Sequence, residues 1–181
     1  MLSIDERLKT IERLPDHKGG HFPDGAHVVR VNRLPWTPFN LVGTPDGPVF
    51  KLLAVDWRRE MLVMILNVPG GMAVEPHYHL EEAQGYIMTG DFEYEYGHIF
   101  AENYIGEGAA IAHSATIGKD DVLQFSIIFG GLCGVRPDGG PDLSVIVGCQ
   151  AAYEMAKANN AADHIAPPPP GWKSRWQQQD N

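Results

Sequence analysis

The chain has 181 residues, a length that fits one domain, and 44% of them are apolar, too many for a disordered chain. Its 14 Lys and Arg against 23 Asp and Glu give a formal net charge of −9, which argues against a nucleic-acid binder, because phosphate recognition needs a basic face. No apolar run reaches the ~18–20 residues that a membrane span requires. The charged start of the chain lacks the apolar segment of a signal peptide, so we expect a cytoplasmic protein with reduced, buried thiols at Cys133 and Cys149.

The first 25 residues are predicted to be a helix followed by a loop, outside the main domain. Residues 3–14 combine an S-x-x-E capping box with apolar side chains at helical spacing. Residues 15–25, PDHKGGHFPDG, have the composition of a loop. We therefore separate residues 1–25 from the domain that follows.

Residues 26–148 are predicted to form one β domain. Short runs rich in Val, Ile, Leu, Phe and Tyr are separated by Gly, Pro, Asp and Asn. The candidate strands are 26–32, 48–55, 60–68, 74–80, 84–89, 91–97, 103–106, 109–115, 121–130 and 142–148. Many short strands with turn residues between them predict a sandwich or a barrel rather than alternating β and α units.

Residues 149–181 are predicted to form a C-terminal helix and a proline-rich tail. The helix spans 149–159, and the prolines at 167–170 cannot continue it. Trp172 and Trp176 follow these prolines. An aromatic tail of this kind docks either on its own domain or on a neighbouring subunit.

The histidine pair in the segment GGMAVEPHYHLEEAQG is the strongest candidate for chemistry. On a strand, His77 and His79 point to the same face with Cα atoms roughly 6–7 Å apart, so both imidazoles can bind one metal ion at ~2.1 Å. On a helix, residues at i and i+2 would face apart. Pro76 and the β-rich flanks favour the strand, and His113 on another predicted strand offers a third imidazole.

The spacing around this pair resembles the first cupin motif, G-x5-H-x-H-x3,4-E-x6-G, which is matched by Gly71, His77, His79 and Gly90. The segment AENYIGEGAAIAHS, ending at His113, resembles the second motif. Over residues 33–148 the chain resembles the cupins grouped with 2,4'-dihydroxyacetophenone dioxygenase and with the cupin half of certain anti-sigma factors. The resemblance implies an all-β, jelly-roll-like cupin barrel with short N-terminal and C-terminal helices.

The chain departs from the first motif at its glutamate, because Ala83 and Gln84 stand where that residue should fall. Four nearby carboxylates could replace it: Glu81, Glu82, Glu93 and Glu95. The alternative, which we prefer, is a metal site of three neutral imidazoles from His77, His79 and His113.

Three neutral ligands leave the full +2 charge on a divalent metal, which strengthens the binding of an anionic bidentate ligand such as an enolate. Cupins that resemble this chain and lack the glutamate include the acetylacetone-cleaving dioxygenase. The resemblance therefore implies a non-haem Fe(II) dioxygenase that cleaves a C–C bond of a small α-hydroxyketone or β-dicarbonyl with O2, an aromatic 2-hydroxyacetophenone-like substrate included. Imidazole ligands also suit Zn, Ni and Cu, and Zn, Mn and Ni are the alternative metals to Fe(II).

Several further side chains are candidates for the site. Gln84, Tyr86 and Glu93 are predicted to act on the substrate or on metal-bound water. The predicted apolar lining consists of Met88, Ile111, Phe125, Ile127 and Phe129. Glu102, Glu107, Asp120 and Asp121 are predicted to be solvated charges in turns.

Three other functions stay open at this point. A Zn or Mn cupin isomerase, cyclase or lyase would use the same histidines without O2, a non-catalytic module would only bind metal, and a storage-like cupin would hold none. We expect a homodimer or homotetramer, by analogy with cupins that pair through their sheets.

Overall fold

The computed structural model describes residues 19–21, 27–39 and 46–177. The predicted helix over 3–14 lies outside the described residues. Within them the all-β prediction is confirmed, since two six-stranded antiparallel sheets make up most of the structure. No helix in the described part of the chain is long and apolar enough to cross a membrane.

Fourteen strands are present in the described residues. They are β1 Gly19–His21, β2 His27–Val29, β3 Thr37–Pro38, β4 Val49–Asp56, β5 Met61–Val68, β6 Ala73–His79, β7 Ala83–Thr89, β8 Asp91–Tyr94, β9 Gly97–Phe100, β10 Tyr104–Glu107, β11 Ile111–Ile117, β12 Val122–Phe129, β13 Leu132–Val135 and β14 Pro141–Val147. One α-helix, α1 Cys149–Ala158, and two short 3-10 helices, Val31–Arg33 and Arg175–Gln177, complete the elements.

Most predicted strands are present, with four differences. Residues Gly19–His21 form a strand inside the predicted loop because they pair with β2. The single predicted strand 91–97 is a hairpin, β8 and β9, which turns at residues 95–96. The short strands β3 and β13 were not predicted.

The two sheets face each other across the core. The first sheet has the strand order β10-β7-β12-β5-β4-β3, and the second has the order β14-β13-β6-β11-β8-β9. Alternate side chains of each strand point between the sheets, which is why the strands show a period of two in burial. On β12, for example, Val122, Ser126 and Ile128 are buried while Leu123 and Phe125 are only half-buried on the outer face.

Two clusters of apolar side chains fill the ends of the space between the sheets. One cluster joins β4 and β5 to α1, which presents Ala152, Tyr153 and Ala156 to the sheets. The other consists of Val68, Ile87, Phe92, Ile105, Ile117 and Val122. Helix α1 therefore closes one end of the barrel, as its helical apolar stripe requires.

The C-terminal tail docks on its own domain. Trp57 donates its indole N–H to the Ala166 carbonyl at 2.9 Å, and Trp172 donates its indole N–H to the Trp57 carbonyl at 2.8 Å. The buried Glu60 carboxylate accepts hydrogen bonds from the Ser174 hydroxyl at 2.7 Å and the Arg175 backbone N–H at 2.8 Å. Both bonds hold the tail to the β4–β5 turn.

Both cysteines agree with the sequence-based expectation. Cys133 on β13 and Cys149 at the start of α1 are buried and unpaired. Burial raises the pKa of the Cys149 thiol to about 12, so this thiol stays protonated and packs as a small apolar side chain.

Candidate metal centre

Strands β6 and β11 bring the three predicted histidines together. They are antiparallel neighbours in the second sheet, with His113 directly opposite His77 and Ile111 opposite His79. Since His77 and His79 are two residues apart on β6, both side chains lie on the face of the sheet that His113 shares. The predicted convergence of the three imidazoles is confirmed, because their candidate ligand atoms all lie within 4.8 Å of one another.

The distances fit a metal ion bound on one face. The Nε2 atoms of His79 and His113 are 2.9 Å apart. Two metal–nitrogen bonds of ~2.1 Å at a right angle place their nitrogens ~3 Å apart, so this separation fits two adjacent ligands. The Nδ1 atom of His77 lies 3.1 Å from the Glu75 carbonyl, so an Nδ1–H can donate there and leave Nε2 for a metal.

The three imidazoles are held in the neutral form that binds metals. Burial, together with the neighbouring imidazoles of His77 and His113, lowers the pKa of His79 to about 3. Burial likewise lowers the pKa of His113 to about 4 and that of His77 below its ordinary value. A histidine must be neutral to ligate, so near pH 7 the group needs to lose no proton before it binds a cation.

Glu107 is the site residue that sequence reasoning missed. It was predicted to be a solvated turn charge, and this is wrong, because its side chain is 8% exposed at the end of β10. Its Oε1 lies 3.2 Å from His113 Nε2, and its Oε2 lies 3.5 Å from His79 Nε2. Burial raises the pKa of this carboxyl to about 7.

The contacts of Glu107 also fit a cation at this place. Its Oε1 is buried and makes no hydrogen bond with any described residue. A buried carboxylate oxygen without a partner is costly, and a bound metal ion or a substrate proton would satisfy it. The alternation on β10, with Ile105 and Glu107 buried and their neighbours exposed, is the signal that could have revealed it.

Three of the four carboxylates proposed as substitutes are exposed or have other partners. Glu81 pairs with Arg175 at 3.0 Å, and Glu82 is exposed. Glu95 accepts hydrogen bonds from the backbone N–H and the hydroxyl of Ser114, both at 2.9 Å. The carboxylate beside the histidines therefore comes from the first sheet, through Glu107.

Of the three predicted catalytic residues, Gln84 lines the cavity, whereas Tyr86 and Glu93 do not. Gln84 is half-buried and contributes to the wall of the cavity, although no side-chain hydrogen bond links it to the histidines. Tyr86 is 44% exposed on the outer face of β7. Glu93 has a side chain that is 62% exposed, because it alternates with the buried Phe92 on β8. The structure thus does not bring Tyr86 and Glu93 to the histidines.

A cavity of ≈ 110 Å³ lies between the sheets next to the histidines. Its walls combine apolar side chains with a few polar ones, as is typical of small-molecule sites. The apolar wall consists of Leu66, Val68, Val74, Ala83, Phe92, Ala115, Ile117, Val122, Ile128 and Leu132. None of the five predicted lining residues is among them. Phe125, Ile127 and Phe129, for instance, alternate with the inward side chains of β12.

Tyr94 contacts His113, one of the three histidines. Its ring packs edge-on against the His113 imidazole, with ring centroids 5.6 Å apart. Burial and the nearby Glu107 carboxylate raise the pKa of its phenol. Tyr94 therefore stays protonated and is able to donate a hydrogen bond.

Two facing antiparallel sheets that enclose three histidines on neighbouring strands define a cupin with a group able to bind a metal ion. Within that class the chain belongs to the family of ChrR cupin-like domains, whose sequence model matches residues 24–130. No functionally curated protein matches the chain.

Solved structures show the same fold at low identity. An RmlC-like cupin protein from Ralstonia eutropha is similar with a TM-score of 0.64 and 21% identity, over 75% of this chain and 87% of that one. An acetylacetone dioxygenase from Acinetobacter johnsonii is similar with a TM-score of 0.62 and 18% identity, over 77% of this chain and 95% of that one.

Proposed function

We propose that this cupin is a non-haem Fe(II) dioxygenase that cleaves a C–C bond of a small β-dicarbonyl or α-hydroxyketone with O2. The observation that carries the proposal is the combination of three neutral imidazoles and a buried carboxyl of pKa about 7 around one point of an apolar cavity. The similarity to an acetylacetone dioxygenase agrees with it.

His77, His79 and His113 are the proposed ligands. Fe(II) held there would supply positive charge for an anionic substrate and reducing power for O2. The apolar wall around the histidines excludes water, which strengthens the interaction between the cation and the anionic substrate.

Glu107 is the proposed base. A general base must lie within reach of the substrate proton, and the carboxylate oxygens of Glu107 lie 3.2 Å from His113 Nε2 and 3.5 Å from His79 Nε2, beside the place that a substrate on the metal would take. Its ionised form takes the proton from the carbon between two carbonyls, or from the hydroxyl of an α-hydroxyketone, and leaves the substrate as the anion. The proton then stays on the carboxyl group, whose Oε1 makes no hydrogen bond with any residue in the described part of the chain.

The size of the cavity favours aliphatic over aromatic substrates. Small-molecule sites usually measure about 300–1,000 Å³, whereas this cavity measures ≈ 110 Å³. We therefore place pentane-2,4-dione and hydroxyacetone ahead of 2-hydroxyacetophenones as first substrates to test.

Oxygen uptake by protein loaded with Fe(II) under argon tests the proposal. We expect consumption of O2 with pentane-2,4-dione or hydroxyacetone and one bound iron per chain. His113→Ala should lose both, whereas His98→Ala, on the exposed β8–β9 hairpin, should keep both. Iron-loaded protein that consumes no O2 with either compound contradicts the dioxygenase assignment.

A Zn- or Mn-dependent isomerase is the second candidate, and Glu107 is the reason to keep it. A buried carboxyl beside the proposed ligands can take a proton from one carbon and return it to another without any oxidant. Exchange of the α-proton of hydroxyacetone for deuterium in the absence of O2, in Zn-loaded protein, would favour this function over the dioxygenase.

A further inference from the structure

The cavity has a second polar feature, on the wall that faces the histidines. Gln124 and Ser126 lie two residues apart on β12 in the first sheet, and both side chains line the cavity. The histidines lie on β6 and β11 in the second sheet. A molecule between the sheets therefore meets the proposed metal ligands on one side and a carboxamide with a hydroxyl on the other.

The carboxamide of Gln124 retains hydrogen-bonding capacity for a ligand. Its Nε2 donates to the Ser126 hydroxyl at 3.0 Å, and this is its one side-chain hydrogen bond among the described residues. A carboxamide has two N–H donors and an acceptor oxygen, so one donor and the oxygen remain. The Ser126 hydroxyl, in a residue only 2% exposed, accepts from Gln124 and keeps its own hydrogen to donate.

Gly85 on the neighbouring strand leaves the space that this carboxamide occupies. A Cβ at position 85 would lie 2.5 Å from Gln124 Nε2 and 2.9 Å from Ile105 Cγ1. Gly85 is opposite Ser126 in the β7–β12 pairing. Any other residue at 85 would push the carboxamide aside, so two strands together fix its position.

We propose that Gln124 and Ser126 determine substrate specificity by hydrogen-bonding a third oxygen of the substrate, beyond the two that bind the metal. This inference rests on the proposed function, because it concerns the same cavity. Its physical reason is that a substrate without the third oxygen would cover the carboxamide and leave it unpaired, which disfavours that substrate. The substrate class is then a short β-dicarbonyl or α-hydroxyketone that carries one additional hydroxyl or carbonyl.

The test compares two probes, pentane-2,4-dione and 1-hydroxypentane-2,4-dione. Their affinities for Fe(II)-loaded protein are measured under argon from the absorption of the metal–enolate complex, and O2 uptake is measured separately. We expect the wild type to bind the hydroxylated probe about tenfold more tightly, since a buried hydrogen bond contributes about this much. Methionine is similar in length to glutamine but cannot make these hydrogen bonds. Gln124→Met should therefore bind the two probes with about equal affinity, and its affinity for pentane-2,4-dione should change little.

Two further variants keep the test independent of a folding defect. Ser126→Ala should reduce the preference several-fold, and Gly85→Ala should reduce it although Gln124 is present. Gly85→Ala combined with Gln124→Met should lose no more than either alone. Gln150→Met, the same replacement on the exposed side of α1, is the matched control and should leave the preference unchanged.

The outcomes separate this inference from the proposed function. Equal affinities in the wild type, or an unchanged preference in Gln124→Met, overturn the inference even if O2 is consumed. A preference that depends on Gln124, without any O2 uptake, supports the inference and rejects the dioxygenase. Protein that binds no metal at the histidines overturns both.

Discussion

Glu107 shows how a single residue acquires a function from its position. The same carboxyl in a turn would be a solvated charge, but at the end of β10 it is buried against two imidazoles. Burial disfavours its charged form, so its pKa rises to about 7. A glutamate thus stands beside the histidines, although the position of the glutamate in the first cupin motif is occupied by Ala83 and Gln84.

The raised pKa of Glu107 predicts a pH dependence of stability in metal-free protein. The folded state holds a proton that the unfolded state releases, so the contribution of this group is present below pH 4.5 and is lost as the pH rises through 7. The side chain of Glu107→Gln cannot ionise. The free energy of unfolding of this variant, relative to that of the wild type, should therefore increase by about 2 kcal/mol from pH 5 to pH 8. Urea unfolding at the two pH values measures the gain.

Glu82→Gln replaces an exposed carboxylate that does not line the cavity; it is the matched control and should show no such gain. If the stability difference between Glu107→Gln and the wild type were the same at both pH values, the carboxyl of Glu107 would titrate alike in the folded and the unfolded chain, which contradicts this prediction.

At the scale of the elements, the C-terminal tail contacts the turn next to the proposed metal ligands. Arg175 bonds the Glu60 carboxylate at 3.1 Å and the Glu81 carboxylate at 3.0 Å. Glu81 lies in the turn between β6, which carries His77 and His79, and β7. The tail therefore stabilises the turn that directly follows two of the proposed ligands.

Arg175→Ala should destabilise the protein by about 1 kcal/mol, because the buried Glu60 carboxylate loses a charged donor while it keeps Ser174 and a backbone N–H. Chemical denaturation at pH 7 measures the loss. Arg58→Ala removes an exposed arginine of the β4–β5 turn and should leave the unfolding midpoint unchanged. Equal midpoints for the wild type and Arg175→Ala would show that the ion pairs of Arg175 add nothing to stability.

The strand period explains which elements could be predicted from the sequence. The His-x-His pair on β6 was predicted correctly because alternation places i and i+2 on one face whatever the neighbouring strands are. The side to which β12 points could not be predicted, because its two faces are almost equally apolar, and Phe125 and Ile127 were assigned to the wrong one. Glu107 was missed because β10 was predicted to end one residue too early, at 106.

At the scale of the whole molecule, an apolar patch lies on the outer face of the first sheet. Tyr86 and Tyr104 are direct partners on β7 and β10, with exposed fractions of 44% and 65%, and Met88 is 43% exposed. Exposed aromatic and methionine side chains in one patch are typical of protein–protein interfaces. The expected homodimer would bury this patch, with a second copy of the chain as its partner.

Light scattering after gel filtration tests this expectation, since a homodimer has twice the 19.9 kDa mass of the chain. Tyr86→Glu should convert the dimer to a monomer, because it places a charge in the centre of the interface. Tyr96→Glu, at a tyrosine that is 64% exposed on the β8–β9 turn, is the control and should stay dimeric. A monomeric wild type at micromolar concentrations contradicts the dimer.

The packing of the tail on Trp57 has an optical consequence. The Trp57 and Trp172 rings meet edge to face with centroids 5.0 Å apart, and both indole N–H groups are hydrogen-bonded. Trp176 lies in the same tail, so three of the four tryptophans of the chain are in the tail or in contact with it. Intrinsic fluorescence should consequently report on detachment of the C-terminal segment, whereas circular dichroism would follow the melting of the sheets.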